Sequence, residues 1–313
     1  MEGIINVLKP PGMTSSDVVV WIRRALKTKK VGHTGTLDPG VTGVLPICVG
    51  KGTRLAEYIT EQGKAYIAEV TFGVTTDTQD SYGKVIHETL PRLKQKDLEG
   101  VLPNFMGKIS QIPPMYSAVR KEGKHLYEYA RQGISIERPS REVSIYRLSL
   151  EEWFDGELPK AILDIECSKG TYIRTLCHDL GKALDCGAHM SYLVRVRSGP
   201  FKIAESWTLE EIDEAVQNGN NSFMLPLTAG IDLPRVFLAG PRAKAFRHGL
   251  PTKRAQVETP PTERNSCSET KPGLQTSNLE HRASRFVQVM ENEELIGIGV
   301  WREESLYPHK VFG

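Results

Sequence analysis

Two periodicities and one change of pattern predict an α+β protein with a small all-β module at its C-terminal end. Lys64–Gly73 alternates cleanly between apolar and polar residues, Val143–Leu150 and Ala161–Cys167 alternate as a pair of strands, and Gly187–Ser198 is a further strand, so half-buried strands are expected. Val18, Ile22 and Ala25, then Leu98, Val101, Leu102 and Phe105, recur at helical spacing and supply the helices that flank them. Around Pro226–Pro234 the pattern changes. That divides the chain into 1–230 and 231–313, the second part carrying only short strands suited to a small β-barrel.

The elements follow in order. Gly3–Leu8 is a short strand ended by Lys9-Pro10-Pro11-Gly12. Ser15 or Ser16 caps a helix through Leu26, with Asp17 at its positive end. Its C-terminal Lys27, Lys29 and Lys30 suit either the helix dipole or a phosphate. Val44–Val49 is an apolar strand and Arg54–Ile59 a short helix. Tyr66, Ala68, Val70 and Phe72 share one face of the next strand, Ile67, Glu69 and Thr71 the other. Val143–Leu150 and Ala161–Cys167 form a pair. Ser168–Arg174 opens a helix that runs to about Leu184, with Tyr172, Leu176 and Leu180 along one stripe. Arg174 falls in its first turn, where the dipole disfavours a cation, so something negative has to compensate it. Thr208 and Glu211 make a capping box for a helix to about Val216. Phe286–Met290, Leu295–Trp301 and Lys310–Phe312 are the C-terminal strands, and 255–285 is a polar, apolar-poor loop expected to be disordered or inserted.

At 313 residues the chain can bury a substantial core. No apolar run reaches the roughly 18 residues of a membrane span, and MEGIINVLKP carries an acid where a signal peptide is basic. Five cysteines without C-x-x-C suggest neither a disulfide framework nor a zinc ribbon, and a reducing cytoplasm is expected. Net charge is only +2, from 40 Lys+Arg against 38 Asp+Glu. Its distribution is less even. Six Lys/Arg and no acid lie in 235–254, three and no acid in 195–202, and six against three acids, interleaved with tyrosines, in 116–141. Each alone reads as a solvated surface; together they point to a phosphate-backbone partner.

The densest chemistry lies in Val31–Leu45, VGHTGTLDPGVTGVL, with four glycines, three threonines, His33 and Asp38. Pro39 biases Asp38 towards an extended conformation, so Asp38 sits on a loop beside one group that titrates near neutrality, His33. A lone Asp-Pro is ordinarily a turn or cap. Gly50-Lys51-Gly52-Thr53 is no phosphate loop, lacking the glycine five residues earlier and a hydroxyl after the lysine. Thr76–Asp80, TDTQD, lacks the glycine and distant glutamate of a calcium loop, so no metal is assigned there.

GHTGTLDP followed by GVLPICVGKGTR resembles the catalytic motif of the TruB family of pseudouridine synthases, and the resemblance recurs from Asn6 to about Ser198 and more loosely beyond. It implies the pseudouridine synthase fold, a mixed, largely antiparallel central sheet flanked by helices, with a small PUA-like RNA-binding β-barrel at the C-terminal end, and modification of uridine 55 in the T-loop of tRNA without cofactor or metal. Asp38 is then the catalytic nucleophile. His33 meets the RNA near the flipped uridine, Tyr66 packs on the target base, and Leu193 contacts it. Tyr172 and Arg174 of GTYIR belong to the substrate-binding set, Arg174 pairing with Asp38, and Asp80 of TDTQD lies in the same network. Lys9 and Pro10 match a structural motif, and about 111–141 matches an RNA-gripping thumb. The expected partner is the tRNA T-arm, bound by a monomer with no membrane attachment. A non-catalytic RNA-binding or folding protein, and a carboxylate-dependent glycosidase or nucleosidase using Asp38 and Asp80, remain the other classes.

Overall fold

The computed structural model describes residues 1–117, 119–121, 123–257 and 285–312. Cys267 and nearly all of the polar 255–285 loop lie outside these residues. In order, the first elements are β1 (Gly3–Lys9), α1 (Ser15–Ala25), β2 (Val31–His33), β3 (Thr42–Val49), α2 (Ala56–Thr60), β4 (Lys64–Phe72), β5 (Val74–Thr76), β6 (Val85–Glu88) and α3 (Gln95–Val101). Then come β7 (Gly107–Gln111), β8 (Arg120–Lys121), β9 (Lys124–His125), α4 (Leu126–Arg131), β10 (Arg141–Phe154), β11 (Lys160–Cys167), α5 (Ile173–Ala183), β12 (Ala188–Ser198), β13 (Phe201–Lys202) and α6 (Leu209–Gln217). The C-terminal part holds β14 (Arg235–Phe237), α7 (Gly240–Arg247), β15 (Thr252–Lys253), β16 (Phe286–Glu291), β17 (Glu294–Arg302) and β18 (Ser305–Val311).

The main sheet runs β1-β3-β12-β4-β11-β10-β7, with β13 added to β12 and β2 to β3. Every pairing is antiparallel except β3 with β12. That exception makes a seam. One flank of β3 is β1; its other flank is shared, by β2 at Ile47–Val49 and by β12 at Thr42–Gly43. The loop that joins β2 to β3 leaves the sheet where those neighbours change over. Gly43, with φ +118°, permits this crossing: a methyl group there would lie 2.2 Å from the Arg195 carbonyl oxygen.

The core follows the alternation. Tyr66, Ala68, Val70 and Phe72 are buried against Leu163, Ile165, Leu176 and Leu180, with Val18 and Ile22 in the same cluster. Truncating one of these to alanine costs about 2–5 kcal/mol. α6 begins at Thr208 with the Glu211 capping box. α1 differs from expectation: its cap is Thr14, which Asp17 completes as a capping box, whereas Ser15 is buried. The short helix after β3 also differs, being a 3-10 turn over Gly50–Leu55 followed by α2. α5 starts at Ile173 rather than Ser168, and Tyr172 is its N-cap. Gln111 fixes that start, accepting from the Tyr172 N–H (3.0 Å) and donating to its carbonyl (3.2 Å).

The C-terminal sheet, β14-β16-β17-β18-β15, is a curled five-stranded half-barrel, consistent with a PUA-like domain. Its last strand begins at Ser305, five residues before expectation. Pro308 is accommodated because it falls beside a bulge, opposite Gly299. α7 was not expected; Pro241 and Arg242 hide a helix whose buried face is only Ala243 and Phe246. The two sheets meet through Arg54, which donates to the Val311 carbonyl and stacks on Phe312, and through Lys310 on Glu57.

Candidate active site

The β2–β3 loop is irregular yet tethered at nearly every residue. Thr34 donates from its N–H to the Pro46 carbonyl (3.1 Å), and its own carbonyl accepts from Thr60 Oγ1 (3.0 Å). The Gly35 carbonyl accepts from Arg195 Nη2 (3.1 Å). Leu37 donates its N–H to Ser15 Oγ (2.8 Å), and Ser15 returns a bond to the Leu37 carbonyl (3.1 Å). The Pro39 carbonyl accepts from Lys9 Nζ (3.2 Å) and the Gly12 N–H (2.8 Å). Val41 N–H closes a turn on the Asp38 carbonyl (3.0 Å). Between these anchors the Asp38 side chain stands free of the backbone.

Its partner is Arg174. Nε lies 3.1 Å from Asp38 Oδ2, and Nη1 lies 3.2 Å from Asp80 Oδ2. Nη1 also donates to the Thr78 carbonyl (3.2 Å) and Nη2 to the Tyr116 carbonyl (2.7 Å). Two carboxylates and two carbonyls thus compensate a cation in the first turn of α5. Asp80 is itself fixed by Thr78 Oγ1 (2.7 Å) and the Tyr82 N–H (3.0 Å). The exposures differ sharply: 6% for the Arg174 side chain, 42% for that of Asp38. The carboxylate is gripped from behind and open in front. Sequestration in the cleft pushes the Asp38 carboxyl above the ordinary aspartate range; Arg174 pulls it down, Asp80 pushes it up and Lys9 pulls weakly down.

Tyr66 and Leu193 share the sheet face next to this loop, Tyr66 opposite Arg195 and Leu193 opposite Ala68. Both are buried, and burial holds the Tyr66 phenol protonated up to about 12, with Arg195 pulling the other way. His33 ends β2, half-buried, with Nδ1 accepting from the Gly35 N–H (3.3 Å). Burial, then Arg195, lowers its pKa, so at neutral pH the ring is neutral and carries its proton on Nε2. Tyr172, two residues before Arg174, is the N-cap of α5, its backbone held by Gln111. Lys9 is wholly buried, its Nζ on the Pro10, Met13 and Pro39 carbonyls, and burial lowers it to about 8. Among the described residues no group of three or more His, Cys, Asp or Glu side chains is placed to hold a metal.

Arg195 is the residue that sequence reasoning missed. It is 1% exposed and donates from Nε to the Val44 carbonyl (2.7 Å) and from Nη2 to Gly35, with the Tyr66 hydroxyl as a further hydrogen-bonding neighbour. Counting it in a basic surface segment over 195–202 was therefore mistaken: Arg195 is core, Arg197 is paired with Glu166, and only Lys202 is exposed. The signal was present. The period of two that puts Leu193 inside puts Arg195 inside as well. In the other two segments Arg120, Lys124, Arg131 and Arg141, and Arg235, Lys244, Lys253 and Arg254, are exposed.

Comparison with known proteins fits this arrangement. Solved structures titled as a Cbf5-Nop10-Gar1 complex and an H/ACA RNP bound to a substrate RNA containing 2′-deoxyuridine align over 99% of this chain and 85% of theirs, with TM-scores of 0.72 and 0.69 and identities of 27% and 26%. Residues 23–173 match the N-terminal domain of TruB family pseudouridylate synthase, and 174–230 the tRNA pseudouridylate synthase B C-terminal domain. A protein of Symbiobacterium thermophilum named tRNA pseudouridine synthase B is 54% identical over 251 residues, 80% of this chain and 83% of the relative. One of Halalkalibacterium halodurans with the same name is 49% identical over 263 residues, 81% and 86%. The fold is that of a pseudouridine synthase, an isomerase. Within that class the chain belongs to the TruB family.

Proposed function

We propose that this enzyme converts uridine 55 of the tRNA T-loop to pseudouridine. The observation that carries this is the half-open Asp38 carboxylate on a loop pinned from several elements and backed by Arg174. The target base is stacked in its loop, so it has to be extruded into the cleft, with His33 filling the vacated space and Tyr66 and Leu193 holding the base. Tyr172 completes the binding set. The N1–C1′ bond then breaks, the uracil turns, a C1′–C5 bond forms, and the C5 proton is lost as N1 gains one. Asp38 attacks C1′, attacks C6, or assists departure of the uracil anion; its carboxylate serves all three routes. The substrate's own atoms are rearranged and nothing is added, so the reading needs no cofactor.

In this proposal residues 1–230 carry the chemistry, the 111–141 segment grips the T-arm, and 231–313 form a PUA-like RNA-binding module. The protein works as a cytoplasmic monomer. Among the described residues no helix is long and apolar enough to cross a membrane. Exposed arginines and lysines of both RNA-facing segments make binding fall steeply with salt.

One assay decides. Incubation with unmodified tRNA, or with an isolated T-arm hairpin, yields pseudouridine. Free uracil would make the protein a nucleosidase, and unchanged but bound tRNA would make it a non-catalytic RNA-binding protein. A hairpin with a disrupted T-loop is expected to remain unmodified.

A further inference from the structure

The Tyr82 side chain has no part in the site as described, yet it lies against the Asp38 loop at Gly40. It is 77% exposed, while its backbone N–H is spent on Asp80 Oδ1. Its ring lies over the Asp38–Pro39–Gly40 turn: a methyl group at Gly40 would meet the ring at 2.2 Å. Gly40 is two residues from Asp38, at most about 8 Å between their Cα atoms. The loop beneath is stiff. The Ser81 N–H bonds the Met190 carbonyl (3.1 Å), the Met190 N–H bonds Gln79 (3.0 Å), and the Gly83 N–H bonds Asp80 (3.3 Å).

We propose that Tyr82 is a stacking platform for the nucleobase adjoining the extruded uridine. This rests on the RNA-modifying reading above and adds a binding subsite to it. A base brought to Asp38 carries its neighbours at covalent distance. The first surface they meet is an exposed aromatic face on a preorganised loop, where stacking loses little side-chain entropy. The lack of a side chain at Gly40 is what lets the ring lie there.

The test uses the full chain and a T-arm hairpin with 2-aminopurine next to the target uridine, read by fluorescence and by binding affinity. Tyr82→Ala is expected to weaken binding about tenfold, about 1.4 kcal/mol, and to relieve quenching of the 2-aminopurine, while Tyr82→Phe and Tyr82→Trp keep both. Gly40→Ala, which displaces the ring without deleting it, is expected to match Tyr82→Ala, and the double variant to lose no more than either. Affinity of Tyr82→Ala within twofold of the parent, or equal losses in Tyr82→Phe, would overturn the platform. These arms read binding alone. Absence of pseudouridine from the parent enzyme would therefore strike the proposed function and leave the stacking result standing.

Discussion

Two buried arginines flank the Asp38 loop, and they are held in opposite ways. Arg174 meets two carboxylates, on Asp38 and Asp80, besides two carbonyls. Arg195 meets the Val44 and Gly35 carbonyls and the Tyr66 hydroxyl, and no ion pair to it is formed among the described residues. A guanidinium is always charged and donor-only, so each is costly to bury until its N–H groups are used. On the Arg174 side the cost is offset by anions, one of which is open to the cleft, so the pair bears on reactivity. On the Arg195 side it is offset by backbone, so the bonds bear on the loop's shape. Electrostatics and position at this site are supplied by different residues.

The largest effect expected is at Asp38. Asp38→Asn keeps size and hydrogen bonding but removes the carboxylate. Pseudouridine formation should vanish while tRNA affinity stays within about tenfold, about 1.4 kcal/mol. Turnover near that of the parent would sink the assignment.

Arg195 comes next, through stability. Arg195→Met leaves the buried Val44 carbonyl and the part-buried Gly35 carbonyl without their donors, where a fully buried group costs about 1–3 kcal/mol, partly offset by relief of a buried charge. A net loss of about 3 kcal/mol in urea unfolding is expected, with Arg195→Lys losing less. An unchanged midpoint would mean that the charge costs as much as its bonds return.

Arg174→Ala should act through pH. The Asp38 pKa already lies above its ordinary value because burial outweighs Arg174. Removing the guanidinium deletes the main downward pull and leaves only Lys9 against burial and Asp80, so the pKa rises further. In the proposed mechanism the carboxylate is the working form, so activity is expected above that pKa and lost as pH falls through it. The acid limb of the rate profile should therefore move to higher pH, with the deficit largest at low pH. Arg174→Lys should recover part of it, as one ammonium cannot reach Asp38, Asp80 and the Tyr116 carbonyl together. A profile parallel to the parent's would refute the coupling.

Much of this was legible in the sequence, and the failures have physical causes. The alternation of β4 and β11 survives because one face of each strand must be dry. Arg174 drew attention because a cation in a helix's first turn needs an anion, although only the family resemblance identified which one. Arg195 escaped because charge counted along a window ignores the direction of side chains. The α1 cap was misplaced because Ser15 and Ser16 look better than Thr14 until Asp17, three residues on, is read as its reciprocal partner. Which carbonyls receive Arg195 depends on long-range register at the β3–β12 seam, and those that receive Arg174, on Thr78 and Tyr116, lie far away in the chain; no local pattern encodes either.

The smallest expected effect isolates that positional contribution from both arginines. Ser15 lies on α1, and its hydroxyl accepts from the Leu37 N–H and donates to the Leu37 carbonyl, one residue before Asp38. Ser15→Ala leaves a buried N–H unsatisfied, which costs about 1–3 kcal/mol, and changes no charge. If the loop's shape sets the rate, single-turnover pseudouridine formation should fall several-fold at saturating tRNA, with affinity and the acid limb of the pH profile unmoved. If the remaining tethers on Thr34, Gly35 and Pro39 suffice, the melting temperature will drop and the rate will not. A shifted acid limb would mean that Ser15 reaches the Asp38 charge after all, and the division of labour drawn between the two arginines would fail.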